Sequence, residues 1–332
     1  MLYRIILSLR HLAYDKGWKK VQKAAVPTIC VGNITVGGTG KTPHVELLLR
    51  LLEFRAVAVL SRGYKRKSRG FRIVQETDTA RSVGDEPLQM ARKFPSATVA
   101  VDKDRLHGCR ELAAGHPQVI VLDDAFQYRK LDASLKIVLV DYSRPIFEDR
   151  LLPWGRLRDL PSRIRKAHAV VVTKCPSELS DEEKERWRSR LRLKPEQPLF
   201  FTTLQYERPQ PVFPEGDPHY LYAQKVVLVS GIANDAPLRS HISDTYKIVR
   251  HLRFPDHHAF SRSDIRSIAA AAGQTPIACL MTTEKDAQRL RDVPSMPDAL
   301  RHRLFYWPIR AAFLSPEEES AFQDLVLSAL EG

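Results

Sequence analysis

The stretch VGNITVGGTGKTPHVELLLRLL, residues 31–52, constrains the fold more than any other. Gly40, Lys41 and Thr42 close the phosphate-loop pattern G-x-x-x-x-G-K-[ST], but Thr35 stands where the first glycine belongs. The apolar run TICV leads in, and an amphipathic stretch leads out from Pro43. Proline in a first helical turn costs little, because its missing N–H has no partner there. In such a unit the backbone of Thr35, Val36, Gly37, Gly38, Thr39 and Gly40 turns N–H groups toward phosphate, at a helix mouth whose dipole favours anions. Lys41 then reaches the β- and γ-phosphates, and the Thr42 hydroxyl ligates Mg2+. A bare glycine turn is the competing reading. The strand-to-helix setting favours a nucleotide site.

Around this unit apolar runs alternate with helical patterns. Strands are expected at 28–31, 56–60, 98–101, 119–122, 136–140 and 169–172, with helices at 43–52 and 86–94 among them. That alternation predicts an α/β fold, a P-loop NTPase-like parallel sheet covered on both faces. LFFTTLQYERPQPVF, 199–213, breaks the texture and reads as an extended linker, after which a second strand–helix series begins at KVVLVSGIAND. The expected organisation is an amphipathic helix at 1–24, a core at 25–204 completed by 305–332, and a smaller α/β lobe at 214–304. A chain of 332 residues has room for two such cores, and four scattered cysteines with no C-x-x-C pair argue against a disulfide or zinc framework.

A phosphate loop needs a second handle on magnesium, usually an acidic residue ending another buried strand. VIVLDDAFQ offers Asp123 and Asp124 there, although turn or cap carboxylates are also common after strands. AVVVTKCPSE resembles the guanine-reading T-K-x-D element, but Pro176 replaces the aspartate, so ATP is the expected nucleotide. SVGDEP sets Asp85 and Glu86 at the head of a helix, where capping by Asp85 is the plain alternative. VAVDKDR ends a strand in Asp102, Asp104 and Arg105, and FPDHHAF places His257 and His258 in the second lobe. One of those histidines, turned into a cleft, would serve as acid, base or orienter of a carboxylate.

The net charge of +13 asks for an anionic partner. Arg66 and Arg156 lie in the two basic loops, SRGYKRKSRGFR and LLPWGRLRDLPSRIRK, neither of which matches a nucleic-acid module. In MLYRIILSLRHLAYDKGWKK, Leu2, Ile5, Ile6, Leu9 and Leu12 fall at helical spacing among basic residues. The segment is too short and too charged to span a bilayer. It reads equally as a membrane-interface helix or as a helix packed on the body.

Taken in order, VGNITVGGTGKTP, VLSRGYKRKSRGF, VGDEPLQMARKFP, VDKDR, VIVLDDAFQYRKL, LLPWGRLRD, VSGIAN, FPDHHAF and MTTEKDA resemble the tetraacyldisaccharide 4'-kinase family of lipid A biosynthesis over nearly the whole chain. The resemblance implies an enzyme that moves the γ-phosphoryl of ATP, with Mg2+, to the 4'-hydroxyl of a tetraacylated glucosamine disaccharide 1-phosphate. It implies work at the cytoplasmic face of the bacterial inner membrane, through the N-terminal helix, with no nucleic-acid partner. It also implies Asp85 as catalytic base, His257 as its partner, Lys41 and Arg105 at the phosphates, and Glu86, Asp123 and Asp124 near magnesium. Gln127 and Tyr128 fall at its substrate element, where Tyr128 replaces an expected histidine, and Lys65 replaces the glycine expected after RGY. Arg66 and Arg156 would meet the substrate 1-phosphate or lipid headgroups. A regulatory P-loop ATPase with a basic face for nucleic acid or a partner protein is the alternative, and a membrane-associated structural protein with a vestigial loop is a third reading.

Overall fold

Six consecutive buried residues, Thr28–Asn33, form the strand that leads into the phosphate loop. A strand covered on both faces lies deep in a parallel sheet, which is why its sequence shows no alternation. In the computed structural model, which describes residues 2–294 and 296–331, this is β1. With β2 (Val57–Ser61), β3 (Arg72–Ile73), β4 (Thr98–Val101), β5 (Val119–Asp123), β6 (Leu135–Asp141), β7 (Ala169–Thr173), β8 (Leu199–Tyr206) and β14 (Ile309–Phe313) it builds a nine-stranded sheet. The order is β14-β8-β7-β6-β1-β5-β2-β4-β3, parallel except at its two edge pairs. A second, five-stranded sheet has the order β11 (Lys247–Arg253), β10 (Lys225–Ser230), β12 (Cys279–Thr283), β13 (Leu304–Trp307) and β9 (Gln210–Pro211).

The helices begin with α1 (Leu2–Asp15), α2 (Lys41–Leu51), α3 (Ala80–Val83), α4 (Asp85–Lys93), α5 (Arg105–Ala113) and α6 (Asp181–Leu191). They continue with α7 (Ala236–Ser243), α8 (Arg262–Gly273), α9 (Glu284–Arg291), α10 (Asp298–Arg301) and α11 (Pro316–Glu331). On one face of the large sheet Val45 and Leu48 of α2, Leu88 of α4, and Phe322 and Val326 of α11 pack against Ile29 and Val31. Other helices cover the opposite face, through Cys109 and Leu112 of α5 and Trp187 and Leu191 of α6.

Three elements differ from the sequence reading. The segment 199–213 is extended as expected, but its first half is β8, paired parallel to β7 and antiparallel to β14. The return to the large sheet occurs at Pro308, because residues 304–307 are still β13 of the small one. The N-terminal helix stops at Asp15, well short of residue 24, and Gly17 follows with φ 74.

Helix α1 also faces the unexpected way for a core-packed helix. Leu7 and His11 are its buried residues, whereas Leu2, Ile5, Ile6, Leu9 and Leu12 are all exposed, Leu2 at 71%. The contact with the body is largely polar: His11 Nε2 lies 2.6 Å from Asp159, Arg10 donates to the Gln127 carbonyl at 2.7 Å, and the Tyr3 hydroxyl donates to the Arg158 carbonyl at 2.9 Å. Among the described residues no helix is long and apolar enough to cross a membrane.

Candidate active site

The phosphate loop leaves β1 and enters α2 through Gly40 at φ 82, a left-handed backbone that disfavours any side chain, and Gly37 is similar at φ 103. Thr35 instead forms an antiparallel bridge with Leu157. Extended backbone suits any residue, so the absent first glycine is not needed. Val36 donates its N–H to the Arg156 carbonyl at 2.8 Å, which ties the loop to the basic segment beyond it.

The loop is braced from beneath as well. Thr173 donates to the Thr39 carbonyl at 2.9 Å, Asn33 Nδ2 donates to the Thr39 hydroxyl at 2.7 Å, and Lys174 donates to the Gly38 carbonyl and to Asp141 Oδ2. The Thr-Lys pair that looked like a degenerate base-reading element is thus part of the loop's support. Buried His44 lies 2.7 Å from the Gly40 carbonyl and 2.9 Å from the Thr202 hydroxyl, and burial pushes its pKa down to about 4, so it is neutral at pH 7.

Lys41 starts α2 with its ammonium 3.9 Å from Asp124, and Thr42 beside it is buried. Asp124, at the end of β5, takes a close ion pair from Arg158. Burial would raise its pKa, but Lys41 and Arg158 outweigh that and hold it below the usual carboxylate range. Asp123 behaves oppositely. Burial and the charges of Glu86 and Asp124 push it up to about 6, although Lys41 and a 2.9 Å hydrogen bond from Ser61 act against them. Its Oδ1 is buried without a partner. Carboxylate and hydroxyl oxygens of the kind carried by Thr42, Glu86, Asp123 and Asp124 are the hard donors that magnesium prefers. Among the described residues no group of three or more His, Cys, Asp and Glu side chains is arranged to hold a metal ion.

Asp85 is the first residue of α4, after Gly84, and its carboxylate points across to the other sheet. Its Oδ2 lies 2.9 Å from His257 Nδ1 and pairs closely with Arg289 of α9. Burial would raise the Asp85 pKa, but the His257 hydrogen bond and the charges of Lys285 and Arg289 hold it well below the ordinary value. The neighbouring Glu86 pairs with Lys285, whose charge outweighs burial and lowers the Glu86 pKa too. Glu86 also feels Lys41 and acts on Asp123, which links α4 to the phosphate loop. His257 has φ 60, a left-handed backbone that costs a residue with a side chain on the order of 1–3 kcal/mol. The Tyr64 ring meets its imidazole edge-on at 5.4 Å. His258 is turned away, 2.9 Å from Asp264 and stacked on Phe254.

The remaining expected residues are placed less directly. Arg105 is buried and donates to the carbonyls of Asp102 and Asp123, so its charge sits behind the strand ends. Asp104 caps α5, accepting from the N–H of Leu106 and His107, and also accepts from the Tyr128 hydroxyl at 2.7 Å. Gln127 donates to the Asn33 carbonyl at 2.6 Å. Arg66 is spent on the carbonyls of Gly70 in its own loop and of Val101 at the end of β4, whereas Arg156 is exposed. Sequence reasoning missed Arg158, Lys174, Lys285 and Arg289. Lys174 follows the apolar strand β7 in the way ligand-facing residues do, Arg158 lies in a loop that reads only as basic, and the other two read as surface charges on a short helix.

A parallel sheet whose central strand runs through a braced, glycine-rich loop, beside strand-end carboxylates and a lysine, defines a P-loop nucleotide-dependent enzyme. Residues 1–331 match the family model described as Tetraacyldisaccharide-1-P 4'-kinase. The chain is 43% identical over 344 residues to the tetraacyldisaccharide 4'-kinase of Parabacteroides distasonis, covering 99% of this chain and 92% of that one. It is 41% identical over 327 residues to that of Flavobacterium johnsoniae, covering 96% and 92%. The crystal structure of "apo" form LpxK from Aquifex aeolicus in complex with ATP is 30% identical with a TM-score of 0.78, covering 99% of this chain and 96% of that one. The chain belongs to the tetraacyldisaccharide 4'-kinase family.

Proposed function

We propose that this chain transfers the γ-phosphoryl group of ATP to the 4'-hydroxyl of a tetraacylated glucosamine disaccharide 1-phosphate. The observation that carries the reading is the junction of the two sheets. There Asp85, beside the phosphate loop, is gripped by His257 and Arg289 from the other side. In this reading the core, residues 25–204 with the C-terminal segment, and the lobe at 214–304 close on each other to assemble the site.

Backbone N–H groups from Thr35 to Gly40 cradle the nucleotide phosphates, and Lys41 offsets charge at the γ-phosphoryl. Thr42, Glu86, Asp123 and Asp124 would hold Mg2+, which neutralises phosphate charge when bound. Asp85 accepts the acceptor hydroxyl's hydrogen bond. Its low pKa makes it a weak base toward a resting alcohol. In a loose transition state, however, the hydroxyl proton is shed only as the new O–P bond forms, so orientation matters more than basicity. His257 fixes the carboxylate's direction from the second lobe, and Arg105 holds the ends of β4 and β5 in place. Gln127, Tyr128, Arg156 and the loop stabilised by Arg66 line the acceptor side, where exposed positive charge suits the 1-phosphate.

The exposed apolar stripe of α1 supports a peripheral or monotopic seat at the cytoplasmic face of a bacterial inner membrane, where such a lipid acceptor would be met. The test is transfer of labelled γ-phosphate to tetraacyldisaccharide 1-phosphate in detergent micelles, with Lys41→Ala as control. Labelled lipid from the intact loop alone is the expected outcome. Folded, ATP-binding protein that makes none would contradict the reading.

A further inference from the structure

Trp154 is 80% exposed, more than any other tryptophan of the chain, and nothing in the proposed chemistry uses it. It sits at the tip of a loop, 149–157, that is closed on itself. Leu157 donates to the Arg150 carbonyl at 2.9 Å, Leu152 donates to the Leu157 carbonyl at 3.0 Å, and the N–H groups of Arg150 and Arg156 both donate to Asp149 Oδ1. The indole is therefore presented by a fixed turn, between two exposed arginines, Arg150 and Arg156.

The same loop touches both the phosphate loop and α1. Leu157 bridges Thr35, the Arg156 carbonyl accepts from Val36, and the next two residues, Arg158 and Asp159, are those that bind Tyr3 and His11 of α1. Trp154 is only four residues from Arg158, a reach of at most ~14 Å of extended chain. An exposed indole flanked by arginines, next to a helix whose leucines and isoleucines also face outward, matches the chemistry of a lipid interface. There aromatic rings sit at headgroup depth and basic side chains meet anionic headgroups. Exposed Arg4, Trp18, Lys19 and Lys20 continue that character along the N-terminal segment.

We infer that loop 149–157 is a second membrane contact: Trp154 inserts into the interface of an anionic bilayer beside α1. Because that loop is hydrogen-bonded to the phosphate loop, the two contacts together fix how the nucleotide site is oriented over the lipid surface. This inference rests on the reading of α1 as a membrane-interface helix, and its test separates the two. In the full-length Trp18→Phe variant Trp154 is the one strongly exposed indole, since Trp187 and Trp307 are buried. That variant is mixed with vesicles of phosphatidylethanolamine and phosphatidylglycerol carrying brominated acyl chains. The expected result is co-sedimentation with a blue shift and quenching of the emission, both absent in Trp18→Phe/Trp154→Phe. Trp154→Ala should weaken vesicle partitioning on the order of tenfold. Co-sedimentation with no quenching would overturn the inference and leave α1 as the sole contact. Failure to co-sediment would remove the membrane reading of α1 and this inference together. Quenching that grows with protein concentration in the absence of vesicles would instead assign Trp154 to a second copy of the chain.

Discussion

The phosphate-loop end of the large sheet and the seam between the two sheets carry comparable charge but are built in different ways. At the phosphate loop, Lys41, Asp123, Asp124 and Arg158 all stand on strand ends, loops or a helix start of a single sheet, and Asp123 is left with an unsatisfied buried oxygen. At the seam the charges pair across the two sheets, although Glu284 Oε2 is buried without a partner there too. Asp85 meets His257 and Arg289, Glu86 meets Lys285, and Lys93 of α4 lies 2.7 Å from Glu46 and 2.8 Å from Glu284. The difference teaches which region waits for a ligand and which serves as a clasp. The first set of charges stands on one sheet around the glycine-rich loop; the second pairs from one sheet to the other and holds them together.

The largest effect expected from this contrast is at the open end. Lys41→Ala should lower kcat by about 10³-fold without unfolding the protein, since it removes a preorganised charge aimed at the transferred group. Next come Asp85→Asn and His257→Ala, each expected to lower kcat by about 10²–10³-fold while the KM for ATP stays near its starting value. Near-normal turnover in either would reduce the Asp85–His257 contact to a structural latch.

At the clasp the expected damage is to stability. Lys93→Met leaves Glu46 and Glu284 facing each other in a buried place, a loss of about 3–5 kcal/mol readable in urea unfolding. The same cluster sets a pH dependence. Burial and the Glu46 charge push Glu284 up to about 7, against Lys93. A carboxyl whose folded pKa is raised favours the folded state fully below its unfolded value near 4.5, and that contribution is lost as pH climbs toward 7. Stability should therefore fall across that window, and Glu284→Gln should flatten the fall. A flat profile in the parent chain would show that the clasp does not titrate. The smallest effect is expected at Tyr128→Phe, which removes one hydrogen bond to Asp104 and should cost about 1 kcal/mol or less.

The same contrast explains what the sequence made legible. Buried parallel strands appear as unbroken apolar runs, so β1, β5, β6 and β7 could be read within a residue or two, and so could the strand–loop–helix unit that holds Lys41. The meeting of Asp85 and His257 depends on chain folding across 172 residues, and only the ordered resemblance of motifs suggested it. Helix α9, EKDAQRLR, reads as a solvated helix, yet Glu284, Asp286, Gln288 and Arg289 are buried because partners on α4, on the β10–α7 connection and within α9 itself neutralise them. Pairing of that kind leaves no periodic trace. The apolar stripe of α1 was legible as well, but not its direction, since whether a stripe turns inward depends on what the opposite face finds. Here that face finds Asp159, the Gln127 carbonyl and the Arg158 carbonyl.

The central claim is that the two lobes share one catalytic unit, Asp85 with His257. A double-mutant cycle on kcat with Asp85→Asn, His257→Ala and the combined variant, at saturating ATP, tests it most directly. Residues acting as a unit predict a combined variant no slower than the slower single one. Losses that multiply through the cycle would contradict the account and leave His257 as a residue of the seam alone.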